Sequence, residues 1–238
     1  GLYYGTEYTE EIINAALRSE DPLQIVPSVD KDGHGTFVAS VAAGGAEVGN
    51  RFLGAAPEAS IAMVKLKPAK NYLKEFFAIA QDAVCYQEND IMLGLRYLND
   101  LARKRGMPLV ICVALGTSFG GHNGDSLLAD ILDIYATVRN RCVVVGTGNE
   151  AARRHHYFNR FTDAQDMRTA EIRVGEGTQS FAVELWSTLP NIVMVSVTSP
   201  SGERTGMIPI RLGYLFDFLF TLERTTITVE YRLLQENN

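Results

Sequence analysis

Apolar positions follow two rhythms along this chain. Residues 10–19 place Ile12, Ile13, Ala16 and Leu17 on one stripe at helical spacing, which predicts an amphipathic helix. Residues 36–43 are small and apolar, open at a glycine-rich turn and stop at Gly44-Gly45, predicting a second helix. A short apolar run at 60–66, bounded by Pro57 and Pro68, reads as a buried strand. Helical periodicity with interruptions covers 75–104 and ends at Gly106-Met107-Pro108. A continuous apolar run at 109–115, a helix at 126–139 and another apolar run at 142–146 follow. Strands without polar alternation, separated by helices, imply a parallel sheet. The expected fold is α/β, a parallel sheet with helices on both faces.

Beyond residue 150 the rhythm shifts to period two. Segments 172–175, 179–186, 191–198, 214–220 and 225–234 are strand-like. Turns such as Leu189-Pro190-Asn191 and Ser199-Pro200-Ser201-Gly202 divide them. That pattern predicts an antiparallel meander of the β-sandwich or jelly-roll kind. A polar stretch at 151–165, rich in Arg, His and Asn, joins the two regions. The expected domains are therefore 1–150, α/β, and 151–238, β-rich.

Composition excludes several classes of function. With 46% hydrophobic and 21% charged residues in 238, the chain is neither disordered nor fibrous. Its 22 Lys+Arg against 28 Asp+Glu give a net charge of −6, no footprint for a phosphate backbone, so nucleic acid is not an expected partner. The longest apolar run, 109–115, is far short of the roughly 18–20 residues that span a bilayer, so no membrane span is expected. Cys85, Cys112 and Cys142 lie in apolar stretches and read as buried thiols, not as a disulfide framework or zinc site. No loop clusters Asp, Asn and Glu at calcium-ligand spacing, and neither metal nor cofactor is expected. Gly1 runs straight into Leu-Tyr-Tyr and the chain stops at Gln235-Glu236-Asn237-Asn238, just past a strand-like run. A piece of a longer protein is the expectation, with its compartment left open.

Chemistry concentrates at one histidine. His122, His155 and His156 sit in polar loops and read as solvated imidazoles. His34 lies between two glycines at the start of an apolar helix, in Asp32-Gly33-His34-Gly35-Thr36-Phe37-Val38-Ala39-Ser40. Such a site is either a glycine-rich helix start with an incidental His or a backbone opened to let a partner approach the ring.

The stretch 32–44, DGHGTFVASVAAG, resembles the histidine motif of the subtilisin-like serine peptidases (subtilases), with Ser40 where glycine is commoner. The resemblance continues at Leu53-Gly54-Ala55-Ala56-Pro57 and in the run 59–65, ASIAMVK. Residues 109–116, LVICVALG, are similar to the strand whose end lines the family's substrate cleft, and 142–150, CVVVGTGNE, to the segment carrying its oxyanion Asn. In the family about ninety residues separate that His from that Asn. Here 115 do, and an extra stretch near 70–90 accounts for the difference.

What the resemblance implies is a general base and acid at His34, an oxyanion donor at Asn149, and substrate contacts along Ala114, Leu115 and Gly116. The expected substrate is a peptide or protein, with a propeptide or regulatory protein as a further partner. Two parts of the machinery are not recognisable. The orienting Asp should lie about thirty residues before the His in D-[ST]-G, and none occurs there. Asp30 and Asp32 are too close to His34 to serve. Gly116-Thr117-Ser118-Phe119-Gly120 imitates the nucleophile signature but precedes Asn149, so Ser118 reads as a cleft-edge loop residue.

The start of the chain and the β-rich region resemble a bacterial subgroup that includes the clostridial germination (Csp) proteases, with a jelly-roll insert before the serine motif. That implies a bacterial, secreted or spore-associated setting. The expected function is a serine-type endopeptidase whose Asp and Ser lie outside this stretch, leaving these residues alone inactive. The alternative is a pseudoprotease, inactive and acting as a protein-binding or regulatory module. A nucleotide-binding α/β protein is disfavoured, because Gly116–Gly121 lacks a P-loop Lys.

Overall fold

The computed structural model describes residues 4–45 and 52–233. Contacts divide the chain into two compact units, Gly1–Ser118 with Leu128–Phe181, and Phe119–Leu127 with Ala182–Asn238.

In the first unit, α1 (Glu10–Leu17) begins with Glu10 and Glu11, whose charges suit a helix N-terminus, and buries Ala16. A single turn, α2 (Pro22–Ile25), takes proline at its first position, where no N–H is needed. Next come α3 (His34–Ala43), α4 (Asn71–Phe76) and α5 (Glu88–Arg105). The longest of these, α5, has acidic residues in its first turn and Arg103, Lys104 and Arg105 in its last, and stops at left-handed Gly106. Strands β1 (Leu109–Val113) and β2 (Arg141–Val145) are parallel, in register from Leu109↔Arg141 to Val113↔Val145. Between them runs α6 (Leu127–Thr137), the crossover that parallel strands require.

The core forms where one sheet face meets these helices. Leu95 of α5 is buried against Ile111 and Val113, with Ile91, Leu128, Ile131, Leu132, Tyr135 and Val143 packed around them. Residues 111, 113 and 115 share this face because strand side chains alternate. The opposite face carries Val110, Cys112, Cys142 and Val144, and Val110 is 68% exposed. This corrects two expectations. Among the described residues helices pack on one face of the sheet, not both, and Cys112 and Cys142 are exposed thiols, with Cys85 half-buried. An apolar run identifies a strand but not the layer that covers it.

Two further expectations change. Residues 60–66 form no ladder among the described residues; Val64 instead packs onto α5, filling the space beside Gly94. The helical stretch 75–104 is broken into α4, an irregular loop and α5. Lys74 holds that loop, buried and donating its ammonium to the carbonyls of Gln81 (2.8 Å) and Ala83 (2.7 Å).

The second unit is built from hairpins. Strands β3 (Leu215–Phe220) and β4 (Thr225–Glu230) pair antiparallel, from Leu215↔Glu230 to Phe220↔Thr225. They match the strands expected at 214–220 and 225–234, of which Leu234 lies outside the described residues. A second hairpin joins Val195 to Ile208 (2.9 Å) and Val197 to Thr205 (3.0 Å) through backbone bonds, with its tip at 199–202. The Tyr231 hydroxyl staples it, accepting from the Val195 N–H and donating to the Ile208 carbonyl. The hairpin tips exchange carboxylates: Glu223 accepts the Ser201 N–H (2.9 Å) and Glu203 accepts the Leu222 N–H (3.1 Å). Among the described residues of this unit, Ile208 and Phe220 are the buried apolar ones. Strands expected at 172–175 and 179–186 form no ladder among the described residues. Their alternation supplies one apolar face, but a ladder also needs a neighbour with free backbone groups.

Candidate active site

The helix that carries His34 is tied down at both ends. Its N-cap position is Gly33, in the left-handed region at φ +88°, where a glycine costs nothing and offers no capping side chain. The cap comes instead from Asp30. Its carboxylate accepts the N–H groups of Gly33 (2.8 Å), Thr36 (3.0 Å) and Asp32 (3.2 Å), and the Thr36 hydroxyl (2.7 Å). Those hydrogen bonds, the Thr36 hydroxyl first, hold Asp30 well below the usual carboxylate range. At the other end the N–H groups of Ala55 and Ala56 satisfy the carbonyls of Val41 (3.1 Å) and Ala42 (2.8 Å), which a helix C-terminus leaves open. Gly54 makes this approach possible, since a Cβ there would lie 2.4 Å from the Gly44 nitrogen.

From this anchored start the His34 imidazole reaches across to the sheet. Nε2 lies 3.0 Å from the carbonyl oxygen of Ala114, the residue that follows β1. A carbonyl oxygen only accepts, so Nε2 carries the proton in this contact. The hydrogen bonds of Asp30 and Asp32 go to backbone groups and the Thr36 hydroxyl and not to the ring. Asp30 is committed to its turn, and Asp32 accepts the backbone N–H of His34 (3.3 Å).

Asn149 emerges at the same sheet edge. The Gly146 N–H extends the β1–β2 ladder to the Val113 carbonyl (3.0 Å), one residue before Ala114 and three before Asn149. Asn149 is exposed and follows Gly148, whose φ is +85°. The carboxylate of Glu150 folds back to accept the Asn149 N–H (2.8 Å), so closely that a Cβ on Gly148 would sit 2.5 Å from it. Along the neighbouring segment Leu115 points into the core, while Gly116 is exposed with open space around it. The structure thus brings His34 and Ala114 into contact and sets Gly116 and Asn149 on loops leaving one edge of a parallel sheet. Crevices beyond the carboxyl ends of such strands are where open α/β sheets bind ligands.

Ser118 is exposed on the loop that leaves β1, and no helix starts there; α6 begins at Leu127. His122, His155 and His156 are exposed in loops. Sequence reasoning set Asp30 aside for its closeness to His34 and gave Glu150 no role of its own. The signals were an acidic residue three positions before a glycine and six before a threonine at a helix start, and a carboxylate beside the strand-end Asn.

Residues 11–205 match the family described as the Subtilase family. Among solved structures, the chain is similar to the Clostridium perfringens CspB protease, at 30% identity with a TM-score of 0.76. The match covers 95% of this chain and 45% of that one, so the chain spans under half the length of this relative. No curated protein matches the chain.

Proposed function

This chain belongs to the subtilase family, and from that premise we propose that it forms the central part of a serine-type endopeptidase. In this reading the substrate lies along Ala114, Leu115 and Gly116 as an added strand, pairing main chain to main chain. A serine hydroxyl attacks the scissile carbonyl carbon while His34 Nε2 takes its proton. Asn149 donates its side-chain N–H to the oxygen that gains negative charge. The C–N bond then breaks, His34 returns the proton to the leaving amine, and water repeats the sequence to release the acyl group.

The serine and the carboxylate that orients His34 come from segments outside these 238 residues, in keeping with the 45% coverage of the clostridial protease. Residues 1–150 contribute to the catalytic domain and 151–238 to a β-rich, jelly-roll-like insert, a reading supported by the hairpins at 195–208 and 215–230. By themselves they turn nothing over. Peptides or proteins are the substrates, and a propeptide or regulatory protein is the further partner.

The observation that carries this reading is the 3.0 Å contact of His34 with Ala114, which sets the base beside the strand that would hold the substrate. The test uses the full-length protein with a fluorophosphonate probe and a chromogenic peptide. Labelling and turnover in the wild type, both lost in a folded His34→Ala variant, support it; undiminished turnover in that variant overturns it.

One observation favours the second reading, a pseudoprotease that binds proteins without cleaving them. In this resting contact the proton sits on Nε2 and the lone pair on Nδ1, the reverse of the arrangement in which Nε2 takes a proton from a serine. Peptide binding by the full-length protein with neither labelling nor turnover would establish that case.

A further inference from the structure

Asp30 stands outside the proposed chemistry, yet it makes more hydrogen bonds than any group around His34 described above. Helix α3 counts His34 as its first residue, Gly35 as its second and Thr36 as its third. The residue that would normally cap the third N–H is the one just before the helix, and here that is Gly33, without a side chain. Asp30 takes over the task from three residues upstream, accepting the Thr36 N–H at 3.0 Å and the Gly33 N–H at 2.8 Å. The Asp32 N–H at 3.2 Å and the Thr36 hydroxyl at 2.7 Å bring the total to four, and the carboxylate passes 3.7 Å from where a Cβ on Gly35 would lie. Gly33, just before His34, and Thr36, two residues after it, are thereby bonded to one carboxylate. Little rotation of the first turn is left, and that turn aims the imidazole at Ala114.

We propose that Asp30 is a positioning residue, which acts through the first turn of α3 to hold the His34 imidazole at the C-terminal edge of β1. The proposal rests on the reading of His34 as the general base, and adds to it a second carboxylate that never touches the ring. Misplacing a reacting group by about 1 Å costs on the order of a hundredfold in rate. Loss of the cap should therefore lower turnover more than it lowers substrate binding.

The test compares Asp30→Ala, Asp30→Asn and His34→Ala in the full-length protein. One readout is kcat and KM for a chromogenic peptide, per active site titrated with a fluorophosphonate. The other is the rate at which diethyl pyrocarbonate acylates His34 in the folded protein, followed by mass spectrometry. Asp30→Ala should lower kcat per titrated site about tenfold to a hundredfold with KM within about twofold, and speed acylation several-fold. Asp30→Asn keeps an acceptor oxygen, should recover much of both, and serves alone where Asp30→Ala does not fold. A folded Asp30→Ala with wild-type kcat per site and wild-type acylation would overturn the inference, leaving Asp30 a stabilising cap. Wild-type turnover in His34→Ala would instead overturn the peptidase reading. In that case, or in a protein without turnover, the acylation rates decide whether Asp30 holds the ring.

Discussion

His34 Nε2 and the Ala114 carbonyl oxygen, 3.0 Å apart, join the start of a helix to the end of a strand eighty residues later. Ala114 then has one carbonyl for two uses, holding the imidazole or pairing with an incoming strand. Nitrogen-15 spectra of the 238-residue chain should show neutral His34 as the Nε2–H tautomer, with Nδ1 carrying the lone pair. The opposite tautomer in the resting chain would mean that the ring does not rest on Ala114.

In the proposed peptidase reading Asn149 should matter to rate and little to affinity, because a donor to the developing oxyanion acts mainly in the transition state. In the full-length protein, Asn149→Ala is expected to lower kcat about 10²–10³-fold with little change in KM. Steady-state kinetics on a peptide substrate check this; a rise in KM alone would place Asn149 in ground-state binding.

Gly148 is held in place by its backbone and by its neighbour. At φ +85° any L-residue is strained, and the carboxylate of Glu150 occupies the space a Cβ would need. Gly148→Ala is expected to destabilise the first unit by about 1–2 kcal/mol, seen as a lower denaturant midpoint. Pairing it with Glu150→Ala should relieve only part of the loss, since the strain in φ remains.

Glu223 makes the hairpin tips of the second unit sensitive to acid. Hydrogen bonds from Ser201, hydroxyl first and then backbone N–H, lower its pKa to about 2 from an ordinary 4.5. The group's contribution is therefore complete above about pH 4.5 and fades as pH falls toward 2. Protection of the Ser201 amide, its exchange rate taken relative to the intrinsic rate at each pH, should fall over that window, and Glu223→Gln should abolish this change. Protection that stays constant from pH 5 to 2 would show that the carboxylate does not hold the tip.

The elements legible in the sequence were those whose signal is local. The stripe of Ile12, Ile13, Ala16 and Leu17 found α1, and the unbroken apolar runs at 109–115 and 142–146 found β1 and β2. The glycines around His34 marked a helix start, although the fixed element begins at His34 itself, two residues before the expected boundary. What the sequence left hidden depends on a partner far along the chain. Residues 60–66 look like a strand because Val64 is apolar, but Val64 is spent on Gly94. The broken helix at 75–104 turns on Lys74, a charged residue that is buried because two loop carbonyls receive it. At the site, Asp30 was discounted for its closeness to His34 in sequence, and that closeness is what lets it cap the turn.

The uncovered side of the β1–β2 pair has a practical consequence for anyone preparing these 238 residues alone. Val110 and Val144 offer a greasy strip to water, and the sulfur atoms of Cys112 and Cys142 lie open within it. Such material should clump as it is concentrated and, in air, cross-link through sulfur, so a purification run without reductant will collect covalent pairs of chains.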